Sequence, residues 1–179
     1  MTHQIYSTKI DISKTDITFE SVYQKAWFPT ELKNEIIKAN FLILPTDYST
    51  NNNEVLFPEM TGDFLQYVKK HSETPLLADI AISDDGFRRV EKHSALIEVA
   101  TVIITDVILP IAISLISSYL YDAVKKLRRK PNETSTRVNI IVEKNGKKTT
   151  TKIEYEGPIE GMKETLDKIA SNIRNKNND

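Results

Sequence analysis

The most apolar part of the sequence is Val99-Ala-Thr-Val-Ile-Ile-Thr-Asp-Val-Ile-Leu-Pro-Ile-Ala-Ile-Ser-Leu-Ile-Ser-Ser-Tyr-Leu-Tyr121, and Asp122-Ala-Val-Lys-Lys-Leu-Arg-Arg-Lys130 follows it directly. Pro110 divides this stretch, because a helix accepts proline in its first turn but not in its interior. We therefore predict two consecutive helices, over 87–108 and 111–129. They would pack together as a buried helical hairpin.

A membrane span near 99–121 is the alternative interpretation of the same stretch. About 20 apolar residues suffice to cross a bilayer, and a Lys/Arg cluster on one flank is typical of a cytoplasmic anchor. Asp106 argues against a span, because a carboxylate near the bilayer centre is costly. An amphipathic surface helix is the third interpretation. The first residues show neither a basic start nor an apolar run, so we expect no signal peptide and a cytoplasmic location, with membrane association under the alternative.

The first 83 residues predict the order strand, helix, helix, strand, helix, strand. Two short apolar runs, Asn40–Pro45 and Leu76–Ser83, are typical of doubly covered strands, and an intervening helix over Thr61–His71 would make them parallel. This alternation indicates a small α/β layer in the N-terminal portion, 1–92.

The C-terminal portion, 131–179, predicts a β-hairpin and a helix. Asn145-Gly146 is the preferred pair of a two-residue type I′ turn, and it would place Val142 opposite Thr149. After Gly157-Pro158, apolar residues recur at the helical spacings 3, 4, 3 and 4: Ile159, Met162, Leu166, Ile169 and Ile173. The predicted class is α/β, with α+β as the alternative, in three parts: the α/β portion 1–92, the apolar helical hairpin 93–130 and the ββα unit 131–179.

Composition excludes several kinds of chemistry. The 179 residues include no Cys, three His outside any spaced metal signature, and five Gly that form no phosphate-binding loop. We therefore expect no catalytic residue, no metal ligand and no cofactor. The alternative is a metal-dependent hydrolase built on Asp79, Asp84 and Asp85, because divalent cations bind converging oxygens. A simpler interpretation of Asp84-Asp85-Gly86 is a strand-to-helix turn in which Asp is the N-cap.

The formal net charge of −1 is a cancellation between two unlike segments. Residues 1–98 carry a net charge of −5, whereas residues 125–152 carry +8. A basic run at a helix end complements the helix dipole, and it could also bind an anionic membrane surface. Nucleic acid is less favoured, because no aromatic side chain lies between Lys125 and Lys152 to stack on bases.

Glu98 and Asp106 are the costly charges of the predicted first helix. They are eight residues apart, so on a helix they would point to the same side. They would face solvent there, or meet the basic run of a partner protein or of another copy of this chain, since paired buried charges are tolerated. The candidate partner-binding residues are therefore Glu98, Asp106, Lys125, Lys126, Arg128 and Arg129.

The C-terminal half resembles the effector-associated constant components, which are small accessory proteins of bacterial conflict systems. The resemblance lies in an apolar helix, a short hairpin and a terminal helix, and in these segments: His93-Ser94, Leu109-Pro110, Ser117-Ser-Tyr-Leu-Tyr-Asp122, Val138-Asn-Ile-Ile-Val-Glu143 and Tyr155-Glu-Gly-Pro158. It implies a non-enzymatic protein that works beside variable effectors.

The expected function is that of a non-enzymatic, intracellular accessory component, for example in bacterial antiviral defence. It would bind a partner protein, or associate with itself, through the apolar helices and the basic segment. A membrane-anchored effector and a metal-dependent hydrolase are the two alternatives.

Overall fold

The computed structural model describes residues 7–46, 54–91, 94–144 and 149–176. The strands are β1 Lys9–Thr15, β2 Phe41–Ile43, β3 Phe57–Pro58, β4 Ala78–Ile80, β5 Arg89–Val90, β6 Ile97–Glu98, β7 Val102–Thr105, β8 Ser135–Glu143 and β9 Thr150–Pro158. The helices are α1 Phe19–Tyr23, α2 Lys33–Ile36, α3 Thr61–His71, α4 Leu109–Lys126 and α5 Met162–Asn175. This mixture of one sheet with helices confirms the predicted α/β class.

One mixed sheet joins strands from all parts of the chain. Its order is β1-β9-β8-β7-β2-β4, and β6 also pairs with β8. The short strands β3 and β5 form a separate parallel pair. The three segments predicted from the sequence therefore share one sheet.

The predicted helical hairpin over 93–130 is wrong in its first half. Ile97–Glu98 and Val102–Thr105 form strands β6 and β7 instead, and both run parallel to β8, with Ile97 opposite Thr136 and Ile103 opposite Ile141. The physical reason lies in Val102-Ile-Ile-Thr105, a β-branched run that favours a strand over a helix. The second half is helical as predicted, because α4 carries Pro110 in its first turn.

Helices cover both faces of the central strands. The side chains of Val102 and Ile104 pack on the face that α3, α4 and α5 cover, whereas Ile103 packs on the face that α1 and α2 cover. All three are fully buried. A strand buried on both faces has a continuous apolar sequence. The spacing of its apolar residues therefore does not distinguish it from a buried helix.

Helix α4 is the main apolar element on its side of the sheet. Its buried residues include Ile113, Ile116 and Leu120, each fully covered. Among the described residues, Asp106–Lys126 is the one segment long and apolar enough to cross a membrane, and 61% of its most apolar window is buried within the fold. Most of the apolar surface that the sequence indicated for docking is thus covered by the sheet and by α3 and α5, whereas Ile111, Leu115 and Tyr121 are partly exposed.

Two predictions for the N-terminal portion are confirmed. Strands β2 and β4 are parallel, with Phe41 opposite Ala78 and Ile43 opposite Ile80. Helix α3 spans Thr61–His71, as predicted. The intervening helix supplies the crossover that parallel neighbours require.

The C-terminal ββα unit forms with a changed register. Strands β8 and β9 place Val142 opposite Thr151, two residues from the predicted partner Thr149. A shift of two residues leaves every side chain on its predicted face. The turn Asn145-Gly146 lies outside the described residues. Strand β9 continues to Pro158, so α5 begins at Met162 rather than at Gly157-Pro158, and its apolar stripe packs into the core.

Tyr23 of α1 packs against the ring of Phe28 at a centroid distance of 5.4 Å. Burial of the phenol, together with the negative charges of Glu143 and Glu20, raises the pKa of Tyr23 to about 12. Glu143 is fixed near α1, because its Oε2 accepts a hydrogen bond of 2.7 Å from the backbone N–H of Phe19.

This pKa predicts an alkaline loss of stability. The folded state keeps a phenol proton that the unfolded chain loses near pH 10, so the stabilisation is complete below about pH 10 and is lost as the pH rises to about 12. Tyr23→Phe should therefore lose less free energy of unfolding than the wild type between about pH 9 and 11, measured by urea unfolding. Equal losses would contradict the assignment. Tyr67, Tyr119 and Tyr155, whose pKa values burial also raises, remain in both proteins.

Candidate functional site

A cleft of about 440 Å³ opens at the end of the sheet where β6 and β8 begin. Three walls enclose it: the β3–β5 pair with the start of α3, the 94–98 segment, and the residues that follow α4. The lining residues are Thr46, Pro58, Glu59, Met60, Val90, Ser94, Leu96, Ile97, Glu98, Leu127, Arg129 and Arg137. The volume lies within the range of ligand-binding clefts.

A tyrosine on α4 holds the α3 wall in place. The Tyr119 hydroxyl lies 3.1 Å from Asp63 Oδ2 and 3.4 Å from the carbonyl oxygen of Met60. Burial, reinforced by the charge and the hydrogen bond of Asp63, raises the pKa of Tyr119 well above its usual range, so the hydroxyl remains a donor. The Thr61 hydroxyl donates to the carbonyl oxygen of Pro58 at 2.7 Å, which closes the turn between β3 and α3.

A row of charges crosses the sheet beside the cleft. Arg137 on β8 is opposite Glu98 on β6 and opposite Glu156 on β9. Its Nη1 lies 3.8 Å from Glu98 Oε1, and its Nε and Nη2 each donate to Glu156 Oε2 at 3.3 Å. The charge of Arg137 is therefore compensated on both sides by neighbouring strands.

The six residues 125–130 form the second part of the site, which we call the basic turn. Helix α4 ends there in a Schellman motif: the N–H of Arg128 bonds to the carbonyl of Lys125, and that of Arg129 to the carbonyl of Val124. Arg128 occupies the left-handed position with φ of 55°. Glycine usually fills that position, because a Cβ atom is strained there.

Arg129 connects the basic turn to the cleft. Its Nη1 donates a hydrogen bond of 3.0 Å to the carbonyl oxygen of Ala95. The same loop is closed by Ser94, whose hydroxyl oxygen accepts from the N–H of Leu96 at 3.1 Å. A guanidinium has five N–H donors, so Arg129 keeps donors for a ligand while it holds the cleft wall.

The cations of the basic turn are exposed and mostly unneutralised. All six residues of the turn are exposed, and Leu127, the one apolar side chain among them, is 46% exposed. Lys130 lies 3.5 Å from Glu133, a pair open to solvent. Within the ranges that the structure describes, no ion pair involves Lys125, Lys126 or Arg128.

The structure brings together some of the predicted residues and separates others. Glu98 and Arg129 line the same cleft, and Lys125, Lys126 and Arg128 adjoin it through the basic turn. Glu98 forms an ion pair with a cation of its own chain, Arg137.

The prediction that Asp106 lies on the same side of a helix as Glu98 is wrong. Glu98 is in a strand at one end of the 97–105 segment, whereas Asp106 begins the 3₁₀ turn Asp106–Ile108 beyond the other end. On β8, Arg137 is opposite Glu98 and Glu143 is opposite Thr105, so at about 3.3 Å per residue Glu98 and Thr105 are roughly 20 Å apart, and Asp106 lies beyond Thr105. Asp106 Oδ1 is buried, with no hydrogen-bond partner among the described residues.

Sequence reasoning named Glu98 as a candidate, but it missed Glu59 and the pairing of Arg137 with its two partners, Glu98 and Glu156. The signal that could have identified those partners is the parallel register of β6 on β8, which places Glu98 opposite Arg137. That register was hidden because the segment 87–108 was assigned to a helix.

The three aspartates of the hydrolase alternative lie in two elements, strand β4 and the 3₁₀ turn Asp84–Gly86. Asp79 Oδ1 accepts from the N–H of Ile80 at 2.8 Å and lies 3.9 Å from Lys69 Nζ. Asp84 and Asp85 belong to a 3₁₀ turn that Ser83, not an Asp, caps. Within the described ranges, no three His, Asp or Glu side chains are placed to hold a metal ion.

Comparison with protein-family models, curated proteins and solved structures finds no match to this chain. The basis for its function is therefore the geometry of its own residues.

The strained turn predicts a stabilising substitution. Arg128→Gly removes the Cβ strain at φ 55° and should raise the free energy of unfolding by about 0.5–1 kcal/mol, measured by urea unfolding. Arg128→Ala is the matched control, because it removes the guanidinium and keeps the Cβ. A similar gain in both variants would show that charge repulsion, rather than backbone strain, is relieved.

Proposed function

We propose that this protein is a non-catalytic binding protein that docks an acidic surface of a partner protein on its basic turn. The role is the one that its resemblance to effector-associated constant components implies: an intracellular accessory component of a bacterial conflict system, such as antiviral defence. The proposal rests on the arrangement of residues 125–130.

The observation that carries the proposal is the arginine at the left-handed position. Arg128 has φ of 55° and an exposed side chain, so its backbone strain is not offset by burial of the side chain. Backbone strain of this kind costs of the order of 1 kcal/mol and is concentrated at functional sites. An arginine in place of the usual glycine adds one more cation to the turn, which supports a role for that charge in binding.

The helix dipole accounts for only part of the basic turn. Lys125 and Lys126 lie in the last turn of α4, where cations stabilise a helix. Arg128, Arg129 and Lys130 lie beyond the helix end, and the effect of the dipole falls off within the last turn. The additional positive charge suits the steering of an acidic partner, whose on-rate such complementarity increases.

The apolar helices are not part of the docking surface in this proposal. The sequence predicted them as a docking surface because the predicted helices carry more apolar surface than a small domain easily covers. In the structure the sheet and two helices cover α4, and Leu127 is the apolar side chain that remains exposed at its end.

A charge-reversal experiment tests the proposal. The variant Lys125→Glu/Lys126→Glu should bind a fluorescein-labelled acidic polypeptide, poly-glutamate, at least about tenfold more weakly than the wild type in fluorescence anisotropy at physiological salt. The matched control is Lys69→Glu/Lys70→Glu, since both lysines are exposed in the last turn of α3 and the change in net charge is the same. The control should bind within about twofold of the wild type.

Two outcomes would contradict the proposal. Equal losses in the two variants would mean that net charge, and not the basic turn, governs binding. Tighter binding to DNA or to vesicles of anionic lipid than to poly-glutamate, lost with the Lys125/Lys126 variant, would assign the turn to nucleic acid or to a membrane surface instead.

A membrane-associated effector is the second candidate function. The observation that favours it is the helix Asp106–Lys126, which is long and apolar enough to span a bilayer and ends in the basic turn. Spanning would require α4 to leave the sheet that covers it. Recovery of the protein in the soluble fraction without detergent would contradict this candidate.

A further inference from the structure

The cleft beside the basic turn has an apolar lining, whereas the docking proposed above involves only the charges of the turn. Six apolar side chains from separate parts of the chain line the cleft: Pro58, Met60, Val90, Leu96, Ile97 and Leu127. Leu127 belongs to both surfaces, since it lies within the basic turn and lines the cleft. The basic turn and the apolar lining of the cleft therefore form a continuous surface, which one ligand can contact.

The two arginines that line the cleft differ in how available they are to bind a ligand. Arg137 is held between Glu98 and Glu156, so its positive charge is compensated by its own chain. Arg129 uses one N–H on the Ala95 carbonyl and lies at the junction of the cleft and the basic turn. Arg129 is therefore the cation placed to meet a carboxylate of a segment entering the cleft.

We propose that the cleft takes a large apolar side chain from an acidic segment of the partner protein, while carboxylates of that segment contact Arg129 and the basic turn. This inference rests on the proposed function, and it names the chemistry of the partner: acidic residues flanking an apolar anchor. Anchors of this kind provide most of the affinity of an interface, whereas exposed charges mainly provide rate and orientation. The cleft volume of about 440 Å³ accommodates an aromatic side chain with part of its backbone.

Two acidic peptides test the inference. They are fluorescein-labelled, rich in glutamate, and differ only at one central position, which is Phe in one and Ala in the other. Burial of the Phe ring in the cleft should make the Phe peptide bind the wild-type protein at least about tenfold more tightly in fluorescence anisotropy.

The variant Leu96→Ser should abolish that difference, because it removes an apolar part of the cleft without changing charge. Leu77→Ser is the matched control: Leu77 is 57% exposed and does not line the cleft, so the difference between the peptides should persist. Thermal unfolding checks that both variants are folded. The comparison of the two peptides on the wild-type protein tests for an apolar anchor without any variant, and Leu96→Ser then tests whether the anchor binds in the cleft.

The outcomes separate the two proposals. Equal affinity of the Phe and Ala peptides would overturn the anchor in the cleft and leave the acidic-partner function standing. Failure of both peptides to bind would overturn the proposed function and this inference with it. A tenfold preference that Leu96→Ser leaves unchanged would place the anchor elsewhere on the surface and overturn the assignment to the cleft.

Discussion

The parallel pairing of residues 97–105 with β8 is the interaction on which the rest of the structure depends. It places Ile103 opposite Ile141 in the middle of the sheet, where both are fully buried, and it joins the N-terminal strands to the C-terminal hairpin. The same pairing sets Glu98 opposite Arg137 and so builds one wall of the cleft. Because only the 3₁₀ turn Asp106–Ile108 separates β7 from α4, the pairing also fixes the helix against the sheet.

Covering α4 has a consequence for function. Its apolar residues stabilise the fold and are removed from the surface, whereas the cations that follow it are left in solvent. Although the formal net charge is −1, the molecule therefore has a concentrated basic surface at the basic turn. Leu127 and Arg129 link that surface to a cleft with an apolar floor, which gives the surface both charge and a place for an anchor.

Local patterns in the sequence predicted much of the fold. The spacing from Ile159 to Ile173 predicted α5, the two apolar runs predicted the parallel pair β2 and β4, and Pro110 predicted the start of α4. Residues 97–105 were not predictable by periodicity, because a strand covered on both faces has no alternation, and only its β-branched composition distinguishes it from a buried helix. The hairpin register predicted from Asn145-Gly146 differs by two residues from the one observed, in which Glu143 is opposite Thr150.

The candidate site was predictable only where it is local. The basic turn is a contiguous run and was visible from charge alone, whereas the cleft depends on long-range pairing that brings β6 beside β8. The grouping of Asp106 with Glu98 depended on the same missed pairing. Residues eight apart lie on the same side of a helix, whereas a largely extended segment places them far apart.

The burial of α4 is the central claim, and thiol accessibility tests it most directly, because the natural chain has no cysteine. Single variants Ser118→Cys and Leu120→Cys place a thiol on the exposed and on the fully buried side of the same helix. In native buffer without detergent, the thiol at position 118 should react with a maleimide as a free thiol does, and the thiol at position 120 should react about a hundredfold more slowly until urea unfolds the protein. Similar rates for the two thiols in the native protein would contradict the account.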